Sequence, residues 1–167
     1  FQIFECLFTL LLTVSLLVSY YVYDLSGFYN LDWVNKSDDH ISVLNIHAGF
    51  DETSSLLKKK FINSNFKTLD FYNPKKHTEI SIKRARKAYP PFPNTQTITT
   101  THLPLEEETI DTVFLVLSAH EIRDEQERIT FFKELRRVLK PSGNIVVVEH
   151  QRDLPNFIAY TIGFLHF

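Results

Sequence analysis

Hydrophobic positions along the chain fall into one long run and several short ones. Residues 6–23 (CLFTLLLTVSLLVSYYVY) carry no charge. As a helix rising 1.5 Å per residue this run would be about 27 Å long, close to the hydrocarbon thickness of a bilayer. Short apolar runs follow at 41–46 (ISVLNI), 66–71 (FKTLDF), 112–117 (TVFLVL) and 144–149 (NIVVVE). They are rich in β-branched and aromatic residues and alternate little, as suits strands buried on both faces of a parallel sheet. Residues 95–100 (TQTITT) read as a further, polar strand.

Helical patterns separate these strands, at 52–61, 74–88 and 124–139, and 154–167 closes the chain as an apolar helix. The clearest has Ile129, Phe132, Leu135, Val138 and Leu139 on one face. Asp124 offers a cap to its first N–H groups, and Glu127 completes a capping-box pattern. Lys140 sits where a cation suits the helix C-terminus, and Pro141 and Gly143 end the helix in a Lys-Pro-Ser-Gly turn. Strand, helix and strand with short joints predict an α/β fold with right-handed crossovers. The expected organisation is a hydrophobic helix at 1–23, a covering linker at 24–40 with a short helix near 29–34, and an α/β domain at 41–167. Tyr29 and Trp33 in the linker either touch a ligand or pack under the loop.

The stretch 103–150 carries an ordered series of landmarks: Leu103-Pro104-Leu105, Ile110-Asp111, Leu117-Ser118-Ala119-His120 and Arg137-Val138-Leu139-Lys140-Pro141-Ser142-Gly143. In this order they resemble the second half of the class I S-adenosylmethionine-dependent methyltransferase domain. The resemblance extends over about 41–150 and implies a Rossmann-like, doubly wound, mainly parallel sheet. About five strands are present and the last strands of the family are missing, so the chain is expected to be truncated at its C-terminus, with a minimal five-strand version that leaves an exposed edge as the alternative. It begins without methionine, so its natural start is also expected to lie upstream.

The resemblance implies S-adenosyl-L-methionine as cofactor and a loop after the first strand that holds it. That loop is Asn45, His47, Ala48, Gly49 and Phe50. Asn45 stands where the family often has an acid, Gly49 keeps the second glycine of the motif, and His47 and Asp51 replace the first and third. Asp70 ends the second strand 21 residues after Gly49. An acid there accepts hydrogen bonds from ribose hydroxyls in nucleotide-binding α/β domains, and Phe71 follows it. Thr101, His102 and Leu103 are adenine-pocket candidates; Thr99 stands near where the family often has an acid. Leu117 and Ser118 end the fourth strand. His120 and Glu121 follow on the edge where such sheets bind ligands. His120 either takes a proton from an attacking atom or makes a structural hydrogen bond. His150, Arg152 and Asp153, after the fifth strand, either shape the substrate pocket or are loop residues.

Charge narrows the cofactor. Asp51 and Glu52 would repel a dinucleotide pyrophosphate from the helix N-terminus, whereas a ligand with a cationic sulfonium and ammonium tolerates acid there. Asp51 equally reads as a helix cap. The net charge of -2 argues against nucleic acid as a partner. The single cysteine, Cys6, permits no intrachain disulfide, and the seven histidines show no compact metal spacing, so no metal is expected. Residues 6–23 read as a membrane anchor, with a packed or interfacial helix and a signal core as alternatives. With an anchor, the domain is expected on the cytoplasmic side, the basic residues of 75–87 face either solvent or lipid head groups, and a small-molecule or lipid acceptor is expected. Two functions fit: methyl transfer at a membrane, and a non-catalytic tethered binding or scaffold domain, motivated by His47, Asp51 and Thr99. A nicotinamide oxidoreductase is a distant third.

Overall fold

The computed structural model describes residues 2–35, 40–151 and 153–160. The chain divides into two compact units, Phe1–Asn35 with His150–Phe167, and Lys36–Glu149.

In the first unit, helix α1 (Gln2–Tyr20) has no buried residue and continues into a π-helical turn, Tyr21–Leu25. Gln2–Leu25 is long and apolar enough to cross a membrane, by length and composition. Thr9 Oγ1 donates to the Glu5 carbonyl and Thr13 Oγ1 to the Thr9 carbonyl, each at 2.8 Å. These hydroxyls are therefore satisfied within the helix itself. The short helix expected near 29–34 is a series of turns. Trp33 Nε1 donates to the Phe28 carbonyl, and Tyr29 packs against Tyr23 and Phe28, so both aromatics pack locally. The closing helix α5 runs over Leu154–Tyr160; residues 161–167 and Arg152 lie outside the described residues.

The second unit is a five-stranded parallel sheet. Its strands are β1 (Ser42–His47), β2 (Asn65–Asp70), β3 (Gln96–Thr97), β4 (Ile110–Val116) and β5 (Leu139–Val148). Their order is β3-β2-β1-β4-β5, and every neighbouring pair is parallel. Helices α2 (Ser54–Lys60), α3 (Ile80–Ala88) and α4 (Glu125–Val138) accompany it. This is the expected Rossmann-like architecture. The strand order turns back between β1 and β4, the switch point at which such sheets form a crevice.

Alternation along the strands sorts the core onto two faces. Leu44, Ile46, Leu69, Phe71, Val113 and Leu115 join Phe131, Leu135 and Val138 of α4 in one buried cluster. On the other face Phe61, just after α2, packs on Phe114 with ring centroids 5.8 Å apart.

Several elements differ from expectation, each for a local reason. The helix expected at 74–88 begins only at Ile80, because Asn73 closes a turn first. Its Oδ1 accepts from Lys75 N–H, its carbonyl accepts from Lys76 and His77 N–H, and its own N–H donates to His77 Nδ1. Side-chain bonds of this kind compete with helix. The third strand is two residues long, because an antiparallel bridge between Thr99 and His102 turns the chain back. On α4, Phe131 is fully buried and Ile129 is 40% exposed, so the apolar face is rotated from the one expected. Asp124 does cap α4, accepting from Glu127 N–H at 2.7 Å, but the Glu127 carboxylate pairs with Lys76 and Thr100 instead of reaching back. The Lys-Pro-Ser-Gly segment forms no separate turn between elements. Ile110 pairs with Leu139 and Thr112 with Asn144, so 140–143 bulge out of a strand that begins directly after the helix.

Candidate functional site

The loop between β1 and α2 and the end of β2 meet side by side, because His47 and Asp70 are partners in the parallel register. Gly49 has φ +98°, which a side chain rarely adopts. A Cβ there would lie 2.7 Å from Tyr72 Cδ2, so the Tyr72 ring is packed directly on this glycine. His47 is buried. Its Nδ1 accepts from Gly49 N–H at 3.2 Å, which fixes the tautomer with the proton on Nε2. Burial pushes this imidazole below its ordinary pKa, against the pull of Asp51 and Asp70. Asp51 Oδ1 accepts from Thr53 and Ser54 N–H, at 3.2 and 2.9 Å, so Asp51 caps α2. Asn45 points to the same helix start, where its Nδ2 donates to Ser54 Oγ at 2.8 Å. Ala48 is buried in the main core cluster, and Phe50 packs on Tyr89 with ring centroids 5.6 Å apart.

Asp70 is 3% exposed, and both of its oxygens are engaged. Oδ1 accepts from Tyr72 N–H at 2.8 Å. Oδ2 accepts from Arg86 Nη1 at 2.6 Å, and the same nitrogen donates to the Gly49 carbonyl at 3.0 Å. The guanidinium lies over the Tyr72 ring, 4.3 Å from its centroid. The glycine and acid expected to hold the cofactor thus lie beside each other, joined by Arg86. In this conformation they are covered by Tyr72 and Arg86, so the residues fit that ligand only once the cover withdraws. Arg86 was not singled out by sequence, since it lies in a basic run that reads as a solvated helix face.

At the end of β4, Leu117 takes φ +50°, an uncommon conformation for such a residue. Ser118 is buried and its Oγ donates to the Ile46 carbonyl at 3.0 Å, tying β4 to β1. His120 lies in a short 3-10 turn, Ala119–Glu121. Its Nδ1 is 2.6 Å from Glu149 Oε2 and its Nε2 is 3.6 Å from Glu121 Oε1. Glu149 Oε1 also accepts from Ala119 and His120 N–H. Burial alone would lower the His120 pKa, but the two carboxylates outweigh it and push it up to about 9. The ring is an imidazolium at neutral pH. Glu121 in turn stays ionised: burial works against that, and His120 more than compensates. Its Oε2 is buried without a hydrogen-bond partner. Glu149 was missed because nothing local in a strand end marks it as a partner for a loop 29 residues earlier.

A cavity of about 820 Å³ opens at the same edge, lined by Phe71, Tyr72, His77, Thr99, Thr101, Glu121 and Glu127 among others. Of the expected cofactor residues, Phe71 and Thr101 line it, together with Glu121 of the expected catalytic pair. His102 is exposed beside Glu134, and Leu103 is fully buried in the core. His150 belongs to the first unit, where its Nε2 is 2.9 Å from the Tyr23 hydroxyl.

Several signature residues serve the scaffold. Asp111 accepts from Ser42 N–H and from Lys140 Nζ, each at 2.8 Å. Burial would raise its pKa, and these partners hold it below the ordinary value. Arg137 donates to the carbonyls of Leu103 and Leu105, each at 2.9 Å, and to Glu134.

Residues 44–147, more than half of the chain, match the family of the methyltransferase domain. No curated protein matches by sequence. Among solved structures, a SAM-dependent methyltransferase from Methanosarcina mazei aligns with a TM-score of 0.51 and 17% identity, covering 77% of this chain and 62% of that one. A SAM-dependent methyltransferase from Aquifex aeolicus aligns with a TM-score of 0.48 and 15% identity, covering 84% and 74%. The chain therefore spans less than two thirds of the Methanosarcina protein's length. From the family match over residues 44–147 and a five-stranded parallel sheet of the order β3-β2-β1-β4-β5, the chain belongs to the methyltransferase-domain family, class I in fold, whose cofactor is S-adenosyl-L-methionine.

Proposed function

We propose that this chain is a membrane-held domain that transfers the methyl group of S-adenosyl-L-methionine to a small lipophilic acceptor. The observation that carries the reading is the juxtaposition of Gly49 and Asp70 across the β1–β2 register within a chain of this family. Gly49 and Asp70 are the cofactor residues in this reading, with Phe71 and Thr101 walling the neighbouring cavity. Methyl transfer is an in-line displacement that asks mainly for alignment and exclusion of water. His120, already protonated, would not take a proton from the acceptor. It holds Glu121 as a carboxylate instead, and the Oε2 of Glu121, which has no hydrogen-bond partner and lies 3.9 Å from Arg123 Nη2, accepts a hydrogen bond from the acceptor's N–H or O–H. Support for the membrane comes from Gln2–Leu25, an apolar span with no residue buried in the protein. The domain would then lie on the cytoplasmic side.

The test is transfer of labelled methyl from S-adenosyl-L-methionine to a membrane lipid extract by the vesicle-bound chain. A methylated lipid supports the reading; a folded protein that neither binds the cofactor nor labels any lipid would sink it. The covered state of Asp70 favours a second reading, a tethered scaffold domain that keeps the fold without the chemistry. Cofactor titration separates the two.

A further inference from the structure

We propose that Arg86 competes with the cofactor for Asp70, so that cofactor binding requires the Arg86 side chain to leave. This rests on the reading that Gly49 and Asp70 hold S-adenosyl-L-methionine. Asp70 is 3% exposed and Gly49 is buried, so a ligand reaches neither until something withdraws. Arg86 joins the two directly, through Asp70 Oδ2 and the Gly49 carbonyl. It spreads over Tyr72, whose ring fills the space above Gly49 and whose N–H holds the other carboxylate oxygen. One guanidinium therefore engages the acid, the glycine and the aromatic together.

The cover is built to move. Helix α3, which carries Arg86, has no buried residue, and the Arg86 side chain is 34% exposed. An element with so little buried contact opens at low free-energy cost. Apparent affinity then equals intrinsic affinity reduced by the fraction of molecules in the open form. A guanidinium paired with a carboxylate at a partly exposed site is also weakened by salt, whereas hydrogen bonds from the neutral hydroxyls of a ribose depend on it far less.

The experiment is calorimetric titration of S-adenosyl-L-methionine and S-adenosylhomocysteine into the full chain, at low and high salt, with Arg86→Ala, Arg86→Gln and Asp70→Ala variants. Melting curves establish that each variant is folded. The expected result is at least about tenfold tighter binding in both Arg86 variants, equivalent to about 1.4 kcal/mol, and loss of binding in Asp70→Ala. Wild-type affinity should rise with salt, and the Arg86 variants should lose that rise. Equal or weaker binding in the Arg86 variants, with the wild type still binding, overturns the competition and leaves the cofactor reading in place. Folded wild type and variants that all fail to bind overturn both. Should the variants not fold, the salt response of the wild type decides: affinity that stays flat or falls overturns the proposal.

Discussion

Raising the pH from 6 to 9.5 should destabilise the Lys36–Glu149 unit through one residue, His120. In the folded chain its pKa is pushed up to about 9, against 6.5 when unfolded. A group whose folded pKa is raised gives stability that is complete below the unfolded value and is lost as pH rises through the folded one. The window is therefore about pH 6.5 to 9. At about 1.36 kcal/mol for each pH unit between the two values, the upper bound is about 3 kcal/mol. The His120 side chain is 21% exposed and solvent weakens such pairs, so the expected loss is about 1–3 kcal/mol. For a unit of this size that is several degrees in melting temperature, at roughly 3–6 °C per kcal/mol. The assay is thermal unfolding across this pH range for wild type and His120→Gln, alongside NMR titration of the imidazole. Wild type should lose stability where His120→Gln stays flat. Parallel profiles for the two proteins, or a His120 resonance titrating near 6.5, would refute the pairing with Glu121 and Glu149 and return His120 to candidacy as a base.

Phe131→Ala should cost about 3–5 kcal/mol in denaturant unfolding, because Phe131 is fully buried, whereas Ile129→Ala should cost well under 1 kcal/mol; similar losses would refute the observed face of α4. Gly49→Ala should cost about 1–3 kcal/mol through its positive φ and the clash with Tyr72, measured by thermal unfolding, with Tyr72→Ala in the same chain recovering the clash but not the φ strain. Asp124→Ala removes the cap of α4 and should cost about 1 kcal/mol; an unchanged melting temperature would show that Glu127 or water replaces it. Deletion of residues 2–25 should abolish co-flotation with lipid vesicles if this segment is the anchor, and retained flotation would place membrane contact elsewhere.

The parts legible in the sequence were those set by local period. Buried strands without alternation and helices with one apolar face gave the α/β alternation, and the 21-residue spacing from Gly49 marked Asp70 as the acid that ends the second strand. The parts that were not legible depend on single side chains acting across the chain. Asn73 shortens the helix after β2 by an hydrogen-bonded turn that basic composition hides. The phase of α4 is set by the sheet, which selects Phe131 over Ile129. Arg86 looks like any residue of its basic run until topology lays α3 beside the end of β2. One signal pointed that way: an aspartate ending a buried strand needs a partner, and the helix that follows is the nearest supply of cations.

Two aspartates show why recognising this fold and inferring its chemistry are separate steps. Asp111 links Ser42 at the start of β1 to Lys140 in the bulge of β5, and both partners belong to the sheet, so moving either would disturb strand register. Asp70 has one backbone partner, from Tyr72, and one side-chain partner on a helix with no fully buried residue. The same charge-assisted bonding therefore gives a fixed brace in one place and a replaceable contact in the other. The landmarks in 103–150 are mostly of the first kind: Asp111, Arg137 and Ser118 hold loops and strands together. Under the proposed competition, a ligand displaces contacts of the second kind, and the capacity of this chain to bind its family's cofactor would turn on Asp70 and Arg86 rather than on the residues that make the family recognisable.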